Sequence, residues 1–314
     1  EERFRSEAEA WNERYPHAAQ PKLFLGAATT HPICLQGAGS AGGWLESQKA
    51  ELDSFKATGC ALARFEVSGD GQGPPRSTDL ANIEYAQGLS MSVVLADVPC
   101  SGARLTWEAF CIRHRQRVLA CAEQVRPEVY DLCAGVLEYY RRGEIGEPFR
   151  SVHDLPKWSH HLEDLANAVK AISPKTRVAA TVHPWVPEEW DLYRPLSPLH
   201  ERVLEKRVWK GLLEMEVLDA IMFEAFTPSE LIAAERLFNA RKHPHALKKH
   251  CWIWQAFFGR APLSARYLDA EAQWLGVLVG WAQRHEVDVV LVRPAGTFIQ
   301  GGHWAATQDA TLAE

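Results

Sequence analysis

No stretch of this sequence approaches the roughly 20 consecutive apolar residues that a helix needs to cross a bilayer, which excludes a membrane-spanning helix. It has no basic run and no Lys/Arg stripe with interleaved aromatics. With 34 basic against 40 acidic residues the net charge is −6, so nucleic acid is not an expected partner. Cysteine is sparse and odd in number, seven in all, with no CxxC pair. That argues against a zinc site and a disulfide framework, and for buried, reduced thiols. Reduced thiols favour a cytoplasmic setting, although a processed secreted chain would also begin at a residue such as Glu1. Glycine-rich phosphate cradles are missing too. No GxGxxG follows the first strand, there is no P-loop, and Gly37-Ala-Gly39 is too sparse to hold a phosphate.

What is present is a large apolar fraction, 46% of 314 residues, ample for one barrel-sized core. Twelve tryptophans are many for this length. Several fall in segments that follow predicted strands, where an indole can stack on the flat apolar face of a sugar ring or simply pack.

The central segment is Glu128 to Tyr140, read as a buried strand that ends on a carboxylate. Val129, Leu132, Ala134, Val136 and Leu137 supply the apolar run and Glu138 closes it. Continuous apolar strands belong to parallel sheets covered on both faces. Around it the chain alternates. Residues 1–20 read as an N-terminal helical extension. Predicted strands follow at 22–28, 61–67, 91–97, 177–182, 218–226, 250–257 and 287–293. Helical periodicity fills most gaps: 44–58, 79–88, a helix capped by Thr106, 159–172, 199–215 and 270–285. Arg141 to Lys157 reads as a long loop. Eight strand-then-helix units in this length predict an α/β fold, a single (β/α)8 barrel over residues 1–314, with a doubly wound open sheet as the alternative.

Barrels of this kind carry their chemistry at the C-terminal ends of the strands. That rim is expected to hold Arg64 and Glu66, two apart and on one face, with Asp97, Glu138, His183, Glu224, Gln255 and Arg293. Tyr139, Trp185 and Trp254 are further candidates for holding substrate. Two convergent carboxylates suit glycosidic cleavage. One protonates the leaving oxygen, and the other attacks the anomeric carbon or activates water. A carboxylate at the end of an apolar run is costly to bury unless it is used or paired.

The order of these features resembles the clan A glycoside hydrolases, which are (β/α)8 barrels. Arg64 in Ala-Arg-Phe matches that clan's strand-two arginine. Glu138 matches its acid/base glutamate in position, with Leu137 where the clan usually has Asn. The clan's nucleophile ends strand seven in a pattern like Trp-Ile-x-Glu-x-Gly. Here the segment reads Trp252-Ile-Trp-Gln255-Ala-Phe-Phe-Gly259, so the frame fits and the residue is an amide. An amide is neither a nucleophile nor a base of the required kind. Either Gln255 stands in for a glutamate in an introduced variant, or the barrel binds sugar without cleaving it, or Glu224 supplies the second carboxylate. The last is the expected arrangement: Glu138 as acid/base and Glu224 as nucleophile or base beside Gln255. Arg64, Glu66, Tyr139, His183, Trp185, Trp254 and Arg293 would bind an oligo- or polysaccharide, with no cofactor and no metal. A second chemistry stays open, because Glu138, His183 and Glu224 at successive strand ends also resemble the divalent-metal set of sugar isomerases and epimerases. Amidohydrolase chemistry is disfavoured, since strand one lacks His-x-His.

Overall fold

In the computed structural model the described residues are 24–29, 33–34, 45–57, 59–68, 74–100, 102–148, 151–182, 211–212, 214–224, 250–256, 277–285, 287, 289–293, 299–300 and 303–304. Positions 24–25, 33–34, 45–47, 151–153, 182, 224, 250–256, 292–293, 299–300 and 303–304 are described at main-chain level.

The strands are β1 (Phe24–Ala28), β2 (Ile33–Cys34), β3 (Leu62–Ser68), β4 (Ser92–Asp97), β5 (Val129–Ala134), β6 (Arg177–Val182), β7 (Ala220–Glu224), β8 (His250–Ala256) and β9 (Val289–Arg293). All pair in parallel, each of β3 to β8 with its successor. Strand β1 pairs with both β9 and β3, so the sheet closes on itself. The result is an eight-stranded parallel barrel, with the two-residue β2 extending the edge of β3. Between strands lie α1 (Leu45–Ala57), α2 (Ser77–Gly88), α3 (Trp107–Val125), a short α4 (Val136–Arg141) and α5 (Ser151–Ile172). Residues 277–284 are also helical. A small antiparallel pair, β10 (Ile299–Gln300) with β11 (His303–Trp304), lies beyond the last barrel strand.

Two cores follow from the period-two alternation of strands. Leu62, Val94, Val129, Ala179, Ala220, Met222, Val289 and Leu291 pack together inside the barrel. The alternate positions, including Phe65, Val67, Leu95, Tyr130 and Leu132, pack outward against Phe110, Val118, Leu162 and Leu165 of the helices. The inner layer is tight at Gly26. A Cβ there would lie 2.5 Å from Leu291 Cδ2 and 2.9 Å from Leu62 Cβ.

The local signals are ordinary chemistry. Thr106 Oγ1 accepts from the Ala109 amide at 3.3 Å and starts α3. Arg126, at φ 48°, ends that helix in the left-handed region, its N–H donating to Ala122 O.

Two boundaries differ from the sequence expectation. The strand read through Glu138 stops at Ala134, because Gly135 takes φ 91°, open to glycine, and turns the chain into α4. The apolar run is therefore half strand and half helix, and Val136, Leu137 and Tyr139 are the helix's buried side. The segment Arg141–Lys157 is also not one loop, since α5 already begins at Ser151 and carries Pro156 inside it. The predicted extension at 1–20 lies outside the described residues, as do most of the predicted helix 199–215 and the first part, 270–276, of the helix predicted at 270–285.

Substituting Gly26 with Ala is expected to lower stability by about 1–3 kcal/mol, the usual cost of overpacking a filled core. Chemical denaturation of the variant against the wild type measures it, with an unchanged slope.

Candidate functional site

The mouth of the barrel is built from the C-terminal halves of the strands. On β3, Leu62, Arg64 and Glu66 form the inward row, with Leu62 in the inner core. Arg64 is fully buried and Glu66 is half-buried above it. Arg64 Nη1 donates to Glu66 Oε1 at 3.0 Å, and Arg64 Nη2 lies 3.8 Å from Asp131 Oδ2.

Asp131 is the inward residue of β5, two after Val129 of the inner core. It is completely buried. Its Oδ2 accepts from Thr181 Oγ1 at 2.6 Å and its Oδ1 from the Cys133 amide at 3.3 Å. Burial pushes its carboxyl up to about 6, against the pull of Arg64 and the hydrogen bond from Thr181. Asp131 is not among the residues expected at the mouth; a carboxylate in the middle of an apolar run is the signal in the sequence that points to it.

Glu138 stands on α4, one helical turn past the end of β5 and one-fifth exposed. Arg141 Nη1 donates to its Oε1 at 2.7 Å, and Arg142 Nε is 3.5 Å from Oε2. Both arginines belong to its own helix or its cap.

Main-chain register sorts the later strands. Met222 of the inner core pairs with Trp252, and Trp252 pairs with Val289 of the same core. Continuing two residues on, Glu224 pairs with Trp254, Trp254 with Leu291, and Ala256 with Arg293. Positions 224, 254 and 293 thus belong to the inward row. Gln255 pairs with Val292 and belongs to the alternate row, that of Phe223, Ile253 and Val290. Phe223 packs edge-on against Trp281 of the outer helical layer, with ring centroids 5.8 Å apart. By main-chain register Gln255 thus belongs to the row alternate to that of Trp254.

Tyr139 is a correction. It is not at an open rim but fully buried behind the sheet, where its hydroxyl donates to Asp97 Oδ1 at 2.8 Å. Its ring packs against Phe110 and Trp158. Asp97, expected at the mouth, faces the helices instead, because its register partner Val67 belongs to the outer core. His183 and Trp185 lie outside the described residues.

That outward side of β4 holds a second ionic group. Asp97 takes Arg117 Nε at 2.6 Å on one oxygen and Nη2 at 2.7 Å on the other. Arg117 Nη1 reaches Glu144 Oε1 at 3.0 Å, and Glu144 Oε2 accepts from the Cys100 amide at 2.7 Å. His114 Nε2 lies 3.2 Å from Asp97 Oδ1 and 3.0 Å from Leu132 O, while its Nδ1 is 3.0 Å from His161 Nε2. Arg117 and His114 hold the Asp97 carboxyl well below the usual range, outweighing its burial. Desolvation brings His161 down to about 3, so it is neutral at physiological pH. This group ties down two rim segments. Leu105 N donates to Glu144 O at 2.7 Å and Gly146 N to Leu105 O at 2.8 Å, zipping the segment after β4 to the one after α4.

No family model and no curated protein matches the chain. Solved structures do. A GH18 chitinase from Pseudoalteromonas aurantia superposes with TM-score 0.53 at 9% identity, over 92% of this chain and 100% of that one. A GH30 endoxylanase from Clostridium papyrosolvens C71 gives 0.54 at 10% identity, over 94% and 70%. A β-glucuronidase from Bacteroides uniformis gives 0.55 at 12%, over 87% of this chain and 30% of that one. At 9–12% identity the likeness is one of fold alone, an α/β barrel of parallel strands.

Two outcomes check the electrostatics. Arg117→Met should destabilise by about 3–5 kcal/mol, because it strands two buried carboxylates. Denaturant melts would show it. Asp131, with a folded pKa raised from 3.8 to about 6, binds its proton more tightly folded than unfolded. Its protonated form favours the fold below pH 4, and that contribution is lost as pH rises towards 6. The melting temperature of the wild type relative to Asp131→Asn should therefore fall from pH 4 to pH 6 and stay level above it.

Proposed function

We propose that this protein is a glycoside hydrolase acting on an oligo- or polysaccharide. The observation that carries the reading is the closed eight-stranded barrel whose inward rows end on charged residues, Arg64 and Glu66 on β3, Glu224 on β7 and Arg293 on β9. The likeness of the fold to a chitinase and an endoxylanase supports the substrate class.

In this reading Glu224 is the nucleophile or the base that activates water. It ends β7 in the inward row, the place where a carboxylate meets a sugar held in the mouth. Glu138 is the acid/base partner, carried on α4 at the rim. Its ion pairs to Arg141 and Arg142 must open for it to donate a proton, so sugar binding and the rearrangement of α4 go together. Glu66, His183, Trp185, Trp254 and Arg293 bind and orient the sugar, with the fully buried Arg64 holding Glu66 in place from behind. Gln255, on the alternate row by main-chain register, is given no step of its own.

The ion pairs of Glu138 also favour a second reading, a barrel that binds carbohydrate without cleaving it. One panel separates the two. Wild-type protein, Glu138→Gln and Glu224→Gln are assayed on β- and α-linked oligosaccharides, in parallel with calorimetric binding. Hydrolysis by the wild type, with losses of about 10²–10⁴-fold in each variant, is expected. Binding by all three proteins with no cleavage by any would establish the non-catalytic reading. Activity should survive prolonged EDTA treatment, and loss with recovery on adding a divalent ion would point to the metal-dependent isomerase chemistry instead. Gln255→Glu should leave turnover below the wild type, because a new carboxylate near Glu224 would repel it and upset the acid/base division. A gain of orders of magnitude would make position 255 the nucleophile.

A further inference from the structure

The inner face of β5 carries an irregularity that the glycosidase reading does not use. Asp131 pairs with Ala179, yet Ala134 pairs with Thr181, so β5 spends three residues where β6 spends two. Such a bulge re-aims a side chain and is common beside active sites. Here it sits at Asp131, and the carboxyl is tied from three strands. The Cys133 amide within the bulge donates to Oδ1 at 3.3 Å. Thr181 of β6 donates to Oδ2 at 2.6 Å, and Arg64 Nη2 of β3 lies 3.8 Å from that same oxygen. Arg64 in turn donates through Nη1 to the half-buried Glu66.

We propose that Asp131 is a positioning residue that fixes the Arg64 guanidinium below the barrel mouth, and through it the Glu66 carboxylate that faces the substrate. Arg64 is hydrogen-bonded to Glu66 through Nη1, and the Asp131 carboxyl 3.8 Å from Nη2 adds a charge on the other side that biases which way the planar guanidinium turns. Asp131 is completely buried and reaches no substrate; it acts through Arg64. Thr181 sets which way the Asp131 carboxyl faces. The groups around Asp131 are Arg64 and Glu66 on β3, Asp97 on the far side of β4, and Thr181 on β6. Burial and Asp97 favour its neutral form, and Arg64 and Thr181 its charged form. The balance leaves it ionised above about pH 6 and neutral below. Arg64 should therefore be held firmly at pH 7.5 and loosely at pH 5.

The consequence for turnover rests on the glycosidase reading; the fixing of Arg64 does not. The experiment has an arm for each, on the full chain. The first follows the Arg64 guanidinium by NMR, assigned by its loss in Arg64→Lys. Slow rotation of its Nη groups at pH 7.5 is expected in the wild type, fast rotation in Asp131→Asn, and an intermediate rate in Thr181→Val, which keeps the charge and nearly the shape. Slow rotation in Asp131→Asn would overturn the proposal. The second arm measures kcat/KM against pH. Asp131→Asn should lose about 10–100-fold, the scale of a misplaced substrate-holding group. It should also lose a limb near pH 6 that the wild type shows, while Thr181→Val keeps that limb at lower activity. If the wild type hydrolyses glycosides and the Asp131→Asn profile superposes on it, the positioning role is overturned even with a mobile Arg64. If Arg64 loosens as expected but the wild type cleaves no glycoside, the positioning stands and the glycosidase reading falls. Should Asp131→Asn fail to fold, Thr181→Val alone decides: unchanged Arg64 rotation in that variant would overturn the proposal.

Discussion

The bidentate contact between Arg117 and Asp97 is the constraint on which the rim of this barrel depends. Arg117 comes from the middle of α3 and Asp97 from the last position of β4, so one ion pair fixes a helix against the end of a strand. Both are fully buried. A pair taken out of water repays its desolvation only when the remaining donors and acceptors are satisfied. Here Tyr139 and His114 fill the remaining positions on Asp97, and Glu144 takes the outer end of the guanidinium. Glu144 then holds the Cys100 amide, and the main chain around it zips to residues 102–105. Two rim segments are thus set by a charge network in the helical layer, and α4 with Glu138 is anchored between them through Tyr139.

Strand alternation keeps this network separate from the one inside the barrel. Asp97 and Asp131 stand on adjacent strands and differ in face. The outward one meets a full guanidinium fork and a histidine, and is held ionised. The inward one shares its arginine with Glu66 at a longer distance, and desolvation wins. Two buried aspartates of one small region therefore move in opposite directions, and the cause is the number and distance of cationic donors each meets. The outer network is suited to rigidity across ordinary pH. The inner one changes its charge in a range where enzymes work.

Much of the architecture was legible in the sequence because parallel strands buried on both faces leave continuous apolar runs. Each of the eight barrel strands lies within two or three residues of its predicted limits, apart from the end of β5. That end was misread because Val136, Leu137, Tyr139 and Tyr140 suit a strand and a helix equally; the difference was carried by Gly135, whose backbone only a glycine adopts without strain. Faces were harder than strands. Arg64 and Glu66 were placed on one side correctly, since the rule of two works within a strand. Asp97 was expected at the mouth from strand order alone. Its face depends on the register of neighbouring strands, and a one-residue offset reverses a side chain. Tyr139 failed for a related reason, as it follows the strand on a helix that turns it back into the outer core. Asp131 was missed because a polar residue within a hydrophobic run reads as noise until its partners, Arg64 and Thr181, are known from strands 67 residues before it and 50 after it in the chain.

These placements give the mouth a definite order of charge. Arg64 stands between two carboxyl groups, donating through Nη1 to the half-buried Glu66 and lying 3.8 Å through Nη2 from the buried Asp131. When Asp131 is neutral, the pair Arg64–Glu66 has no net charge. When Asp131 is ionised, the same three groups carry one net negative charge at the floor of the mouth. A sugar reaction passes through an oxocarbenium-like state, positive at the anomeric carbon. Negative charge held in a water-poor site beneath that carbon stabilises it more than the neutral ground state. On the proposed glycosidase reading, ionised Asp131 would add to the negative charge that favours such a state, with Arg64 offsetting the cost of burying it.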